Sequence, residues 1–408
     1  MPRLHPAHIV ILAGVCAALH VGKLPPAIPA LQQALGLTLV QAGFLLSLVQ
    51  AAGMALGVGF GVVADGLGPR RSMLLGLAVL VLASALGGFA TGVAALMALR
   101  VVEGFGFLLV VLPAPGLVRA LVPPQRVAAV LGLWGAYMPL ATALALLTGP
   151  LAIAAVGWRA WWWALAAVSA AMALWLRRAV PADAPGRTAP APWRGRLTTT
   201  LAAPGPWLVA VCFAMYSGQW LAVVGFLPVV YAQAGVPEAA TAVLTALAAA
   251  ANIAGNVASG RLLQRGVAAP RLLAVGFATM GVAAAVTFAA STWPPALRYA
   301  AVLLFSSVGG LIPGTLFALA LRLAPGEGTV STTVGWVQQW SSVGQFAGPP
   351  LVAWVASRAG GWQWTWLATG ACSLAGLALA AAIAARLRAL PDPAAAATSG
   401  RAAAPSGR

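Results

Sequence analysis

The chain of 408 residues is 61% hydrophobic and only 7% charged. Soluble domains usually carry about 25% charged residues, so this composition excludes a soluble globular protein and indicates an integral membrane protein. The formal net charge of +17 does not indicate nucleic-acid binding, because the arginines lie in short stretches between apolar runs. No basic face with interleaved aromatics is present in the sequence. The charge balance is instead typical of membrane topology signals and of contact with anionic lipid.

Twelve apolar windows follow one another along the chain, separated by short polar or Pro/Gly breaks. Each is long enough for a helix to cross about 30 Å of hydrocarbon, which needs roughly 20 residues. The first window follows a start that could pass for a signal peptide, but it continues into further windows and is predicted to be an uncleaved span. The predicted spans cover about residues 7–30, 40–63, 72–92, 94–119, 126–152, 157–178, 206–232, 239–260, 270–291, 296–321, 328–356 and 362–386.

The arginines are distributed unevenly between the two sides of the predicted membrane. With a cytoplasmic N-terminus, eighteen arginines fall in cytoplasmic segments, whereas Arg159, Arg298 and Arg358 fall outside and Arg100 falls within a span. By the positive-inside rule, this asymmetry predicts that both termini are cytoplasmic and that the number of spans is even.

One break between spans is longer than the others. Residues 177–205 are rich in Pro, Arg and Thr and cannot form a span. They divide the chain into a six-helix bundle at 1–178, a cytoplasmic loop at 179–205 and a second six-helix bundle at 206–388. The low-complexity tail 389–408 is predicted to be disordered.

The two halves resemble each other. Three short motifs recur in the same order about 200 residues apart, which predicts two bundles related by an axis along the membrane normal, with the substrate site between them. The recurring pairs are Pro115-Gly116 with Pro313-Gly314, Gly149-Pro150 with Gly348-Pro349, and Gly157-Trp158 with Gly361-Trp362.

The segment GVVADGLGPRR at 61–71 joins the second and third spans. It resembles the loop between helices 2 and 3 of the major facilitator superfamily, with the pattern Gly-x-x-x-Asp-x-x-Gly-Arg-Lys/Arg and Pro69 inserted before the arginine pair. In that family the loop stabilises one state of the transporter through charge contacts, so the resemblance implies a gating role for Asp65, Arg70 and Arg71. The residues of 61–71 that match the family pattern are Gly61, Asp65, Gly68, Arg70 and Arg71. A degraded copy of the segment, NVASGRLLQRG, follows the eighth span.

A second segment, RVVEGFG at 100–106, resembles the helix 4 pattern Arg-x-x-x-Gly-x-Gly of the same superfamily through Arg100, Gly104 and Gly106. Together the motifs, spans and repeat cover nearly the whole chain. They imply an all-α integral membrane protein with the major facilitator fold, working as a monomer by alternating access. In general character the chain is also similar to the cyanate and nitroimidazole transporter-like branch.

Four titratable or charged residues lie deep within predicted spans: His20, Lys23, Arg100 and Glu103. Such residues within a membrane are functional candidates, because burying charge there is costly. His20 and Lys23 are three residues apart, as are Arg100 and Glu103, so each of these two pairs shares one helix face. The hypothesis is a cationic patch in which Lys23 and Arg100 bind an anionic group, while Glu103, or secondarily His20, carries a coupling proton.

Structural alternatives remain open for each of these residues. Arg100 and Glu103 could form only a structural ion pair. Lys23 could extend to the outer membrane interface. His20 could be a hydrogen-bonded packing residue.

The second half has no charged residue deep within a span, and its candidates are aromatic and amide side chains. Such groups can hold the neutral part of a small substrate, although each alone more often joins helices. The predicted substrate-binding residues are Tyr216, Gln219, Gln338, Gln339 and Trp340, with Trp220, Asn252, Asn256 and Gln345 as further polar candidates.

The sequence therefore predicts a secondary transporter in a bacterial inner membrane, favouring proton-coupled uptake of a small organic or inorganic anion. The alternative is proton-coupled export of a hydrophobic or cationic compound. The region at 132–150 ends in Gly149-Pro150 but does not match the full pattern Gly-x-x-x-Gly-Pro-x-x-Gly-Gly that drug/proton antiporters of the superfamily carry in helix 5. An enzyme is not predicted, because no nucleophile/base pair or metal-ligand cluster is visible. No cofactor, metal or nucleic-acid partner is expected.

Overall fold

A computed structural model describes most of the chain, and the described residues form helices joined by short turns. Asp65 and the rest of its loop up to Leu67, together with the C-terminal tail, lie outside the described residues. The structure describes residues 4–55, 57, 68–123, 126, 130, 133–183, 193–289, 292–326 and 329–389.

Fifteen α-helices are defined within the described residues. In the first half they are α1 (Pro6–Gly22), α2 (Ile28–Leu35), α3 (Leu39–Ser47), α4 (Pro69–Gly87), α5 (Val93–Val111), α6 (Ala114–Leu121) and α7 (Tyr137–Ala179). After these come α8 (Trp193–Ala202), α9 (Pro204–Gln233), α10 (Glu238–Gln264), α11 (Ala269–Phe288), α12 (Pro295–Gly309), α13 (Leu311–Leu323), α14 (Val330–Ala359) and α15 (Thr365–Arg388).

Within the described ranges, nine helical segments are long and apolar enough to cross a membrane, and Leu39–Ala55 is a shorter apolar helix. The longest, α7, is interrupted at Gly157, whose φ of 81° lies in the left-handed region that favours glycine. Two predicted spans, at 126–152 and 157–178, thus fall largely on one helical segment that bends at Gly157.

Prolines account for the breaks that the predicted spans did not contain. The first predicted span, 7–30, ends as α1 at Gly22, and a 3-10 turn at Pro25–Ala27 leads into α2. The fourth, 94–119, is divided between α5 and α6 near Pro113. Proline lacks a backbone N–H and clashes with the preceding turn, so it ends or redirects a helix.

The segment predicted to be a cytoplasmic loop at 179–205 contains a short helix at residues 193–202. Thr198, Thr199 and Thr200 donate hydrogen bonds to carbonyls three or four residues earlier. These bonds let a threonine-rich stretch complete a helix without leaving its hydroxyls unpaired. The helix α8 packs against α9 and α14.

Three pairs of packed elements join the two halves. The helix α3 packs along α14, the first part of α7 packs against α10, and the Pro25–Ala27 turn packs against α9. One apolar cluster contains buried residues of both halves, among them Leu24, Leu46, Phe226 and Val352.

Candidate functional site

His20, Lys23, Arg100 and Glu103 come together in one place, which we call the charged cluster. His20 and Lys23 are fully buried, and only 1% of the surface of Arg100 and of Glu103 is exposed. Lys23 therefore does not extend to the membrane interface. The Nζ atom of Lys23 contacts Glu103 Oε1, while Arg100 Nη1 donates to Glu103 Oε2 at 2.5 Å. Each carboxylate oxygen of Glu103 thus has its own cationic partner.

The sequence brings these side chains together through the spacing of two helices. His20 and Lys23 lie three residues apart at the end of α1, and Arg100 and Glu103 lie three residues apart on α5. The glycine that follows Glu103 allows α5 to pack closely against the backbone at Val49, because a Cβ at Gly104 would overlap the carbonyl of Val49. The Arg-x-x-x-Gly pattern therefore places Arg100 and Glu103 beside this close backbone contact.

Arg100 bonds to the backbone of two other helices. Its Nε donates to the carbonyl of Leu45 at 3.1 Å, and its Nη1 donates to the carbonyl of His20 at 2.6 Å. Its Nη2 is buried without a hydrogen-bond partner in the described part of the chain. Arg100 thus joins α1 and α3 to α5, and the two N–H donors of Nη2 have no partner among the described residues.

Lys23 is surrounded by acceptors. Its Nζ donates to Ser84 Oγ at 2.9 Å and lies 3.4 Å from His20 Nδ1. It also lies 4.7 Å from the ring centroid of Trp162, a distance at which a cation is attracted to the face of an aromatic ring. Ser84 in turn donates to the carbonyl of Trp162, which leaves the Ser84 oxygen free to accept from Lys23.

The other ring nitrogen of His20 is also paired. His20 Nε2 lies 2.8 Å from Ser169 Oγ, and Ser169 Oγ lies 3.5 Å from Cys16 Sγ. His20 is therefore hydrogen-bonded at both nitrogens. Sequence reasoning missed Ser84, Trp162 and Ser169, because nothing in a single sequence indicates which faces of α4 and α7 pack against α1.

Four of the candidate residues on α9 and α10 belong to a second polar network within the other half: Tyr216, Trp220, Asn252 and Asn256. Asn252 Nδ2 donates to the Tyr216 hydroxyl and to the carbonyl of Ser306, each at 2.9 Å, and Trp220 Nε1 donates to Ser306 Oγ at 3.1 Å. Asn256 donates to Asn252 Oδ1. These side chains bind one another, as expected for residues that join helices.

Gln219 lies apart from that network. It is 2% exposed, its Nε2 donates to the carbonyl of Met215, and its Oε1 accepts from Ser373 Oγ at 3.1 Å. Gln219 therefore joins α9 to α15.

The amides of α14 lie at the contact between the halves. Gln345 Oε1 accepts from Gln50 Nε2 at 3.1 Å, Ser342 Oγ lies 3.4 Å from Gln50 Oε1, and Gln339 Nε2 donates to the carbonyl of Met54 at 2.9 Å. Gln339 and Gln345 thus connect the two halves. We refer to this set of contacts, between Gln50 or Met54 and Gln339, Ser342 or Gln345, as the amide contact.

Trp340 packs in an aromatic group with Trp207 and Trp336. The ring centroid of Trp207 lies 4.8 Å from that of Trp336 and 5.5 Å from that of Trp340, both in edge-to-face geometry. Gln338 is half-buried on the same helix. The structure therefore divides the five predicted substrate-binding residues of this half among three places: the Asn252 network, the α9–α15 contact and α14.

The two arginines predicted to act in gating lie at the start of α4. The backbone N–H groups of Arg70 and Arg71 each donate to a carboxylate oxygen of Asp183 at 2.9 Å, and Arg70 Nη2 donates to the carbonyl of Arg177. Gly68, the N-cap of α4, has a φ of 87° and no side chain to cap the helix. Asp183 therefore supplies the cap from beyond the end of α7.

Comparison with known proteins assigns the class. Long apolar helices and a buried charge cluster define a multi-pass membrane protein, and the Major Facilitator Superfamily family model matches residues 10–341. The chain belongs to the Major Facilitator Superfamily, so it is a transporter rather than an enzyme.

Two relatives from Streptomyces are named for resistance. The chain is 33% identical over 272 residues to a chloramphenicol resistance protein of Streptomyces lividans, covering 63% of this chain and 67% of that protein. It is 32% identical over 137 residues to a tetracenomycin C resistance and export protein of Streptomyces glaucescens, covering 32% of this chain and only 24% of that protein.

Solved structures agree on the fold. A bacterial homolog of the human lysosomal transporter Spinster, in an inward-facing and occupied conformation, superposes with a TM-score of 0.79 at 16% identity. That match covers 95% of this chain and 98% of the homolog. The unoccupied inward-facing form gives a TM-score of 0.74. At this identity the likeness shows the fold alone.

Proposed function

We propose that the protein exports a small, hydrophobic, largely uncharged organic compound, driven by protons, from a bacterial cell. One observation carries the proposal: Lys23, Arg100 and Glu103 bind one another in a buried cluster, so these charges are not displayed to a substrate. In the described part of the chain, the contacts between the halves are made by amide, hydroxyl and apolar side chains. Groups of this kind bind neutral compounds and offer little to a charged one.

One of the two relatives supports the same direction of transport, and both are named for resistance to an organic compound. One is named for resistance to chloramphenicol and the other for resistance to and export of tetracenomycin C. Both named compounds are aromatic organic molecules rather than inorganic ions. Export of this type of compound was the alternative interpretation of the sequence, and it becomes the leading one here.

In this proposal the charged cluster binds the driving proton, as the sequence suggested for Glu103 and His20. The cluster contains groups that can gain or lose a proton close to the backbone of α3, which packs on the other half. A change of charge there alters the bonds that Arg100 makes to α1 and α3. The protein would alternate between two states by rocking one half against the other.

The experiment is transport by the purified protein in proteoliposomes with a pH gradient of either sign. The test compounds are chloramphenicol, a tetracenomycin and, as a small monoanion, benzoate. We expect a neutral aromatic compound to move against its gradient only when protons flow the other way. If neither neutral compound moves, or if movement ignores the pH gradient, the proposal fails.

Uptake of a small anion is the second candidate. Two cations against one acid in the cluster, and the unpartnered Nη2 of Arg100, favour it. In the same assay, accumulation of benzoate with the proton gradient, lost in Arg100→Met, would replace the export proposal with this one.

The remaining predictions complete the proposal. The protein is a monomer in the inner membrane with twelve spans, cytoplasmic termini and bundles at 1–178 and 206–388. Gln338, Gln339 and Trp340 face the transport path, and Asp65, Arg70 and Arg71 stabilise one of its two states. The location of Arg70 and Arg71 at the capped start of α4 supports a role at that end of the molecule.

A further inference from the structure

Lys23 is the only lysine in the chain, and the other 22 basic residues are all arginine. The two residue types differ in one property that matters inside a membrane. A guanidinium is not deprotonated in proteins, whereas a lysine ammonium can lose its proton when it is buried. The single position that keeps a lysine is a fully buried one, within the charged cluster.

The surroundings of Lys23 suit a group that alternates between two charge states. The polar groups that contact Nζ are His20 Nδ1 from α1, Ser84 Oγ from α4 and Glu103 Oε1 from α5. The ring of Trp162, from α7, lies beside it. Three acceptors match the three hydrogens of an ammonium group. A neutral amine needs one donor instead, and a histidine ring can supply it by exchanging its tautomer.

The count of charges identifies the group that changes. Arg100 stays charged, and its bond to Glu103 Oε2 holds Glu103 in its ionised form, so these two make a neutral pair. Lys23 also contacts this carboxylate, but one negative charge cannot balance two cations, so the described cluster keeps a net positive charge in a buried place while Lys23 is protonated. An uncompensated buried charge is the one whose removal is most favourable.

We infer that Lys23 is the residue that binds and releases the coupling proton, while Glu103 remains a fixed partner of Arg100. This inference rests on the proposed proton-driven transport and names the group within the cluster. On release, one N–H bond of the ammonium breaks, the electron pair stays on Nζ, and the proton passes to water that enters when the halves separate. Binding is the reverse.

The structure also indicates how the charge on Lys23 is transmitted to the rest of the molecule. Lys23 and Arg100 share the carboxylate of Glu103, and Arg100 bonds the carbonyl of Leu45 on α3. Two residues before Leu45, Gly43 packs against the backbone of Pro349 and Pro350 on α14. When Lys23 is neutral, Arg100 has Glu103 to itself. The balance among the bonds of Arg100 to Glu103, His20 and Leu45 then changes, and with it the bond to the helix that touches the other half.

A single lysine allows a direct measurement on the intact protein. With lysine labelled with ¹³C at Cε, and no lysine in the tag, Lys23 gives the only side-chain lysine resonance. We expect this resonance to move from the ammonium to the amine position across the pH range in which transport changes. We also expect chloramphenicol, the probe of the export assay, to shift its midpoint. A resonance that stays at the ammonium position, or that ignores the probe, overturns the inference.

Variants provide a second, independent test. Lys23→Gln is always neutral and Lys23→Arg is always charged, so both should exchange chloramphenicol down its gradient but fail to accumulate it with a pH gradient. Arg159→Lys, at an exposed position above the ring of Trp158, is the matched control and should behave as the wild type. Proton-driven accumulation by Lys23→Gln would overturn the inference and leave the proposed function standing. Absence of any transport by the wild type would instead defeat the proposed function.

Discussion

Arg100 makes more bonds than the single ion pair with Glu103 that was one interpretation of the sequence. The guanidinium bonds one carboxylate and the carbonyls of His20 and Leu45, which belong to α1 and α3. A planar fork of five donors can meet acceptors in several directions at once, which a lysine cannot do. Arg100 therefore both neutralises Glu103 and connects α5 to α1 and α3 through hydrogen bonds.

Replacing Arg100 with methionine should lower the free energy of unfolding by about 3 kcal/mol, because Glu103 loses a partner and two carbonyls lose a donor in a buried place. Reversible unfolding in bicelles measures the change. Arg159→Met is the control, since that exposed side chain stacks on Trp158 and should cost less than about 1 kcal/mol. Equal losses in the two variants would show that the bonds of Arg100 add nothing to stability.

The sequence predicted the members of the charged cluster but not its neighbours. Charge within an apolar run and a spacing of three residues were enough to select His20, Lys23, Arg100 and Glu103. Ser84 and Ser169 are ordinary helix residues until the packing of α4 and α7 against α1 is known. Lys23 and Arg100 were predicted to bind an anionic group of the substrate, and in the structure Glu103 contacts both side chains.

At the scale of single elements, α4 begins without a side chain of its own to cap it. Asp183 supplies the cap from a distant part of the sequence. We expect Asp183→Ala to cost about 1 kcal/mol, with faster hydrogen exchange at the amides of Arg70 and Arg71. Asp183→Asn, which keeps an acceptor oxygen, should lose less. Unchanged exchange at these two amides in the alanine variant would show that Asp183 does not stabilise this helix end.

The close approach of α3 to α14 depends on a glycine. A Cβ at Gly43 would lie 2.9 Å from the Cα of Pro350 and 3.0 Å from the carbonyl oxygen of Pro349. Overpacking of this kind costs about 1–3 kcal/mol. We therefore expect Gly43→Ala to slow transport about tenfold in proteoliposomes. Gly335→Ala on α14 has open space around it and should transport normally, and a similar loss in both variants would contradict the expectation.

Helices were predicted better than their ends. Apolar windows located nearly every helix, since hydrophobic length is what a membrane selects. Helix ends depend on local chemistry that hydropathy ignores, such as the proline pair after Lys23 or the bend at Gly157. The helix α8 escaped prediction because its threonines satisfy their hydroxyls on their own backbone, which composition does not reveal.

At the scale of the whole molecule, the contact between the halves follows an ordered line. Going along the apolar helical segment Leu39–Ala55, from Gly43 through Gln50 to Met54, the partners on α14 run backwards from Pro350 through Gln345 to Gln339. The two helices therefore pack antiparallel across the boundary over about 16 Å at a rise of 1.5 Å per residue. Any rocking of one half against the other has to change this line of contacts.

A covalent link across the line should stop transport. In a protein whose cysteines have been replaced, we expect Gln50→Cys with Gln345→Cys to form a cross-link that abolishes transport until it is reduced. The matched control is Ser217→Cys with Ser341→Cys, which joins α9 to α14 within one half, where Ser217 Oγ donates to the Ser341 carbonyl. Continued transport by the linked Gln50–Gln345 pair would show that the amide contact does not separate during the cycle.

The chemistry of the amide contact has an electrical consequence. Its members are amides, a hydroxyl and a backbone carbonyl, none of which carries a net charge. Moving one elementary charge through a potential of 100 mV changes the free energy by about 2.3 kcal/mol, but separating neutral dipoles contributes far less. Breaking this contact is therefore nearly insensitive to membrane voltage. In the proposed proton-driven cycle, voltage would therefore act through the proton, and through the cargo only where the cargo is charged.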